Sequence, residues 1–542
     1  MNIGIDIGGT FTDLIFMEEG SDRFFVGKVL TTPKDPSLGA IQGLTKLLKE
    51  LSLNAGALRN IIHGTTLVAN AIIERRGART GLITTKGFRD ILEMARERRY
   101  DIYDIFLEMP EPLVPRYLRK EVGERVAYDG EILVKLNQGE ALEAVRELIA
   151  EGVESIAVSF LHSFRNPENE LKMKGIIEGE APEAFVSLSH EVMPEIREYE
   201  RTCTTVANAY TQPLMKRYVA RLRKELGRMG FKGNFFIMLS SGGITTPETA
   251  ERFPVRVVES GPASGAIAAS FFGKLLGARK VLSFDMGGTT AKACLISDGK
   301  PMVATDFEVA RVYRFKRGSG IPIRLPVIDM IEIGAGGGSI AYIDSMGLLK
   351  VGPQSAGADP GPACYNLGGM KPTVTDADLL LGYLDPKFFL GGKMPLDKGR
   401  AERAVRESLS QILGTDAIRA AWGVQQVVDE NMANAARIHA VDRGEDLKNY
   451  IMVAFGGAGP VHAYGVCRRL GIKRFVCPLG AGVISALGFL IAPISFDLMR
   501  SVLVRLYRGR GQEGRYHLYQ ILRHALPGSG PRNIRPHPLR NP

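Results

Sequence analysis

The sequence has little that would tie it together covalently. Its 542 residues include five Cys (Cys203, Cys294, Cys364, Cys467 and Cys477), with no C-x-x-C pair and no zinc-ligand spacing. That excludes a disulfide framework and argues against an iron–sulfur activator, leaving reduced, mostly buried thiols of a cytoplasmic protein as the expectation. Long apolar runs are missing too. The richest, "AGVISALGFLIAPISF" at 481–496, is broken by Gly488 and Pro493 and falls short of the roughly 20 residues of a spanning helix, so no membrane role is expected. The opening "MNIGIDIGGT" has neither the basic nor the apolar region of a targeting signal. A P-loop is absent, and "GAGGGS" (334–339) has Ser339 where a dinucleotide fingerprint needs its last Gly.

Net positive charge is also missing from the body of the chain. The total is +10, but residues 501–542 alone hold eight Arg, one Glu and neither Lys nor Asp. A nucleic-acid face needs basic residues spread over a folded domain with interleaved aromatics, so nucleic-acid binding is not expected. The Arg/Pro-rich tail reads as disordered, or as translation out of the frame of a longer gene. The remainder has ordinary globular composition, 45% apolar and 24% charged, and a length that implies two or three domains.

What the chain does have is glycine, 62 residues gathered in short runs. Residues 5–17, "IDIGGTFTDLIFM", return 279 positions later as "FDMGGTTAKACLI" at 284–296. Each reads as strand, Gly-Gly-Thr turn and returning strand. Between and around the copies, strands alternate with helical patterns, which predicts an α/β fold. Among them are a strand, polar turn and helix in "IIHGTTLVANAIIERRG" (61–77) and a helix then buried strand in 143–164.

Glycine pairs at a turn let backbone N–H groups approach an anion. Gly8, Gly9, Thr10 and Thr12 in the first copy, and Gly287, Gly288 and Thr289 in the second, are therefore candidate phosphate ligands. Asp6 and Asp285, at matching strand ends, are candidate Mg²⁺ ligands. "VAFGGAGPVHA" (453–463) adds a strand, a turn containing Gly456, Gly457 and Gly459, and a helix, a pattern that brings a helix N-terminus to a ligand. Asp13 has Lys292 as its counterpart in the second copy, where it could neutralise phosphate or be an exposed strand-end lysine; exposure is the favoured reading. Asp376 and Asp378 could ligate metal or cap a helix. Glu332 and Asp359 are weaker candidates, and His190 looks structural.

Two phosphate hairpins followed by a glycine-rich turn resemble the ATP site of actin, sugar kinases and heat-shock chaperones, which implies two ribonuclease H-like α/β lobes clamping the nucleotide. A closer resemblance is carried by "HGTTLVANAIIER", "ESGPASGA", "GADPGPACY", "PTVTDADLLLGYL" and "FGGAGPVHA" together with the hairpins. Over residues 2–500 these look like the hydantoinase A family, which includes 5-oxoprolinase and an acetone carboxylase subunit. The resemblance implies an N-terminal domain over 1–190, a second over 191–500 and an atypical tail over 501–542, with a usual C-terminal region lacking.

It further implies ATP and Mg²⁺, with activation of the carbonyl of a cyclic amide (hydantoin, N-methylhydantoin or 5-oxoproline type) for hydrolysis, and a hydantoinase B type partner subunit. The alternative is the ATP-using subunit of an acetone or other ketone carboxylase. An ATP-gated chaperone without a small-molecule substrate is disfavoured by "HGTTLVANA". Asp6 and Asp285 would serve metal and water, Gly456, Gly457 and Gly459 the adenosine. His63, Thr65, Thr66 and Asn70 would serve the substrate carbonyl, although Ala69 stands where relatives commonly have Thr.

Overall fold

Two sheets repeat one strand order, and the repeat places the hairpins. In the computed structural model, residues 1–8, 11–18, 24–30, 32, 36–313 and 316–501 are described; the Arg-rich tail, apart from Ser501, lies outside them. In the first sheet, β1 (Asn2–Ile7), β2 (Phe11–Met17) and β3 (Phe24–Leu30) form an antiparallel meander, and β4 (Asn60–Thr65) and β5 (Asn234–Met238) extend it in parallel beyond β1. In the second sheet, β6 (Lys280–Met286), β7 (Ala291–Ser297) and β8 (Lys300–Pro301) make the meander, while β9 (Ile451–Phe455) and β10 (Phe475–Val476) extend it beyond β6. Both read 3-2-1-4-5. This is the two-lobed, duplicated α/β architecture of the actin- and sugar-kinase-like ATPases.

The two sheets share a core. Ile15, Ile62 and Met238 from the first pack with Val281, Cys294, Ile296, Val453 and Phe455 from the second. Between them lie two helices, Ser260–Leu275 and Ile484–Ile491, which contribute Ala263, Ala266, Ala269, Ile484, Ala486 and Phe489 to the same cluster. Small residues decide this packing. A methyl on Gly488 would fall onto the Ser264 carbonyl, and one on Gly64 onto the Phe489 ring. The helices thus reach backbone distance of each other and of β4, closer than ordinary side chains allow.

A third sheet, wholly parallel, is inserted in the first half: Phe185–Leu188, Ser155–Ser159, Thr80–Thr85 and Arg119–Val122, in that order. The strand Thr80–Thr85, which follows the helix after "HGTT", belongs here and not to the hairpin sheet. Its apolar strands are buried on both faces, as a covered parallel sheet requires. The segment 189–226 forms a short helix, Ser189–Val192, and one long helix, Glu198–Arg228, which packs on this sheet. A second core holds Phe284, Met286 and Leu295 against helices Val374–Leu380, Ala417–Val441 and Gly459–Leu470. Among the described residues no helix is long and apolar enough to cross a membrane.

Candidate active site

Cross-strand register aligns one charged row on each hairpin. In the first sheet, Gly64, Asp6, Asp13 and Lys28 are successive partners across β4, β1, β2 and β3. In the second, Phe455, Asp285, Lys292 and Glu332 are partners across β9, β6, β7 and the strand Met330–Ile333. Directly paired residues share a face of a sheet, so Asp6, Asp13 and Lys28 form one polar strip and Asp285, Lys292 and Glu332 another, bordered by Gly64 and Phe455. The helix Ser260–Leu275 runs past both. A methyl on Gly261 would stand 3.1 Å from Asp6 Oδ1 and one on Gly265 3.7 Å from Asp285 Oδ2. One helical turn therefore separates the points at which it passes the two carboxylates.

These carboxylates are shielded from water and feel each other. Burial pushes Asp6 up to about 6; hydrogen bonding by Ser485 and the charge of Lys28 oppose the rise, and Asp13 and Asp285 add to it. Burial likewise pushes Asp285 up to about 6, against the pull of Lys292. Asp13 is raised by burial despite its ion pair with Lys28 at 2.5 Å. Burial works against the Lys292 ammonium, but Glu259, Glu332, Asp285 and Asp6 outweigh it and raise its pKa. Its Nζ lies 3.7 Å from Glu259 Oε2. The expectation of an exposed strand-end lysine is therefore corrected: β7 is flanked by β6 and by Met330–Ile333, and Lys292 is part-buried among acids. Five carboxylates against two ammonium groups leave the strip negative, which suits a divalent cation. Among the described residues no group of three or more His, Cys, Asp or Glu is arranged to hold a metal, so a cation here would rely on ligands beyond Asp6 and Asp285, as Mg²⁺ with its waters and phosphate oxygens does.

The turns follow directly on the two aspartates. Gly9 and Thr10 lie outside the described residues, and Gly8 is part-buried at the end of β1. At the second hairpin Gly287 is half-buried while Gly288 and Thr289 are exposed. The glycine loop 334–338 is pressed against this turn: Gly337 N donates to Gly287 O at 3.0 Å and Gly338 N to Gly288 O at 2.6 Å. Thr375 then donates through N and Oγ1 to Gly337 O. Asp376 accepts from Ala363 N, Cys364 N, Thr373 N and Thr373 Oγ1 in a fully buried capping box, so it is a helix cap and loop anchor. Asp378 Oδ2 faces His462 Nε2 at 3.4 Å, and His462 Nδ1 pairs with Asp429 Oδ1 at 2.7 Å. Burial disfavours the imidazolium, but these two aspartates prevail and push His462 up to about 10. Gly456, at φ +85°, lies against Asp285 and the Met286 carbonyl; Gly457 is exposed and Gly459 opens the helix Gly459–Leu470.

Three expected site residues, His63, Thr12 and Thr65, lie on the far face of the first sheet. Strand side chains alternate, and since Asp6 and its partner Gly64 point toward the interlobe helices, His63 points the other way. It is 1% exposed, its Nε2 bonds Tyr218 Oη at 2.6 Å, and it stacks on Phe235. Burial lowers it to about 4, so it is a neutral core imidazole. Thr12 also lies on the far face, fully buried beside Gly39 of the helix Pro36–Glu50. Thr65 is buried and its backbone is clipped to Ser260, whose Oγ accepts from Thr65 N and donates to Thr65 O, both at 3.0 Å. Thr66 and Asn70 remain accessible, with Asn70 Nδ2 3.3 Å from Thr66 Oγ1. Glu332 and Asp359 are exposed; His190 is tied to Glu170 at 2.6 Å. Glu259, Lys28 and Ser260 were missed by sequence reasoning. The regular Gly261/Gly265 spacing in "ESGPASGA" was the available signal.

The Hydantoinase/oxoprolinase model matches residues 201–497, and the Hydantoinase/oxoprolinase N-terminal region model residues 2–181. The chain belongs to the hydantoinase/oxoprolinase family. An uncharacterised Methanocaldococcus jannaschii protein is 44% identical over 508 residues, 92% of this chain and 74% of the relative. The caprolactamase subunit alpha of Pseudomonas jessenii is 35% identical over 511 residues, 93% of this chain and 72% of its own; the solved ATP-dependent caprolactamase from that organism superposes with a TM-score of 0.84 at 34% identity, covering 97% of this chain and 76% of that one. Nucleotide-free acetone carboxylase gives 0.77 at 31% identity, covering 91% and 70%. The fold of this family is thus the one observed.

Proposed function

We propose that this chain is the ATP-using subunit of an enzyme that hydrolyses a cyclic amide. The observation that carries the reading is the matched pair Asp6 and Asp285. They occupy equivalent positions on duplicated strands, burial raises both to about 6, and both face one helix cleared by glycine. MgATP, when bound, would supply a phosphoryl group to the amide oxygen, which makes the carbonyl carbon electrophilic enough for water to add and the ring C–N bond to break, with the acyl phosphate so formed hydrolysed to carboxylate and phosphate. Asp6 and Asp285 hold Mg²⁺ and its waters; the excess of buried carboxylate around them supports this. Gly8, Gly287, Gly288 and Thr289, with Gly9 and Thr10, receive phosphates on backbone and hydroxyl donors, and Gly456, Gly457 and Gly459 receive adenosine. Thr66 and Asn70, accessible beside the first lobe, orient the substrate carbonyl. His63, Thr65 and Thr12 act behind the cleft as supports.

The names of the similar proteins support a hydrolase acting on a lactam or related ring, and the word subunit in one of them supports a partner polypeptide, of hydantoinase B type in this proposal. We assign residues 1–190 to an N-terminal domain and 191–500 to a second, and the protein to the cytoplasm. The likeness to acetone carboxylase favours one alternative, a ketone carboxylase subunit. The test is ADP release by this chain co-expressed with its B-type partner, against hydantoin, 5-oxoproline, caprolactam and acetone, with and without bicarbonate. Stimulation by a ring amide that vanishes in Asp6→Asn and Asp285→Asn supports the proposal. Stimulation by ketone that requires bicarbonate supports the alternative, and no nucleotide binding refutes both.

A further inference from the structure

The two lysines of the charged rows are bound differently. Lys28 is engaged: its Nζ meets Asp13 Oδ1 at 2.5 Å and Gly482 O at 3.3 Å. Lys292 is not so fixed. Among the described residues the carboxylate within ion-pair distance is Glu259, at 3.7 Å, beyond direct hydrogen-bond range. An ammonium has three donors, and one loose ion pair leaves donors to spare. Lys292 lies three residues beyond Thr289, on the strand that leaves the exposed Gly288–Thr289 turn, and shares a face with Asp285. It also feels Asp6 of the first lobe, as a group between the two hairpins must. Glu259 precedes the helix anchored to the first lobe by Ser260 and Thr65, whereas Lys292 belongs to the second. The loose pair therefore spans the lobes.

We propose that Lys292 receives the terminal phosphate of the nucleoside triphosphate, with Glu259 as the counter-ion that holds the ammonium in place when no phosphate is there. This rests on the nucleotide reading given above. A phosphate oxygen offers Lys292 a closer, charge-assisted partner than Glu259 does. The lysine would then distinguish triphosphate from diphosphate, which lacks the phosphate it receives.

The test is the affinity of the full chain for a non-hydrolysable ATP analogue and for ADP, each with Mg²⁺, by titration calorimetry. Lys292→Met is expected to weaken the triphosphate analogue roughly 10- to 100-fold, the range of a hydrogen bond to a charged group, and to leave ADP within about threefold. Equal weakening of both ligands, or of neither, overturns the proposal. Removing the lysine strands a part-buried carboxylate, so the same comparison is made between Glu259→Gln and Glu259→Gln/Lys292→Met, where this ion pair leaves no unpaired charge. The selective loss must persist in that background. If the unaltered chain binds neither nucleotide, the nucleotide reading itself fails and this inference with it, an outcome distinct from unselective loss.

Discussion

The first and second hairpins share a strand order and an aspartate offset, yet their charged rows differ in one inversion. Across the first, the row runs Asp6, Asp13, Lys28; across the second, Asp285, Lys292, Glu332. Each has two acids and one base, with the middle and outer positions exchanged. The consequence is geometric. In the first lobe the lysine stands two strands away from the key aspartate, and a second acid lies next to it. In the second lobe the lysine is the immediate neighbour. Duplication preserved the aspartate on the first strand of each hairpin and let the rows diverge beside it, so that an acid neighbours Asp6 and a base neighbours Asp285.

The sharpest way to break that comparison is to neutralise the two aspartates separately. Asp6→Asn and Asp285→Asn are each expected to lower substrate-stimulated ADP release by at least about 1,000-fold, since an electrostatic group at the reacting centre is worth several kcal/mol. Stability should move the other way. Both carboxyls titrate near 6 when folded, above their ordinary 3.8. A raised folded pKa means stability that is present below pH 4 and lost as pH rises through 6. Without Mg²⁺, each Asn variant should therefore gain on the unaltered chain between pH 4.5 and 7.5 by up to about 2 kcal/mol, at about 1.4 kcal/mol per pH unit between 4.5 and 6. Urea unfolding at the two pH values measures this. A gain for one variant and not the other would show that only one hairpin keeps its carboxylate dry.

Next in size is a contrast between neighbouring glycines. Gly456 has φ +85° and no room for a methyl against Asp285 and the Met286 carbonyl, whereas a methyl on Gly457 would meet nothing within 4 Å. Gly456→Ala should cost about 2 kcal/mol or more from backbone strain and contact and displace Asp285, abolishing activity. Gly457→Ala should leave the melting temperature unchanged and change only nucleotide affinity. If the two variants lose stability equally, the turn is not shaped around Asp285.

Much of this was legible because the signals are local. A Gly-Gly-Thr turn between period-2 strands identifies a hairpin wherever it falls, and the equal offset of Asp6 and Asp285 marks both copies. Thr373 and Asp376, three apart before an apolar run, carried a capping signature that left metal binding open; only the four donors converging on Asp376 decide for the cap. What could not be read is pairing. "HGTT" shows a strand end but not that Gly64, and not His63, stands opposite Asp6, and a one-residue change of register turns every side chain to the other face. Lys292 looked exposed because nothing local reveals that Met330–Ile333 runs beside it. Glu259 could be placed only once the helix after it was seen to lie between two sheets.

The smallest expected effect compares two threonines assigned alike from sequence. Thr289 is exposed on the second turn, while Thr12 is buried on the far face of the first sheet. Thr289→Val removes a hydroxyl from the cleft and should weaken MgATP binding roughly 2- to 10-fold, the worth of one neutral hydrogen bond, with no change in melting temperature. Thr12→Val removes a hydroxyl from the core and should cost about 1 kcal/mol of stability while nucleotide affinity stays as it was. Calorimetric titration and urea unfolding of both variants separate the two outcomes. Weaker nucleotide binding by Thr12→Val at unchanged stability would mean that the first hairpin turns both its faces to the ligand, and that the inversion between the rows is not what sets the lobes apart.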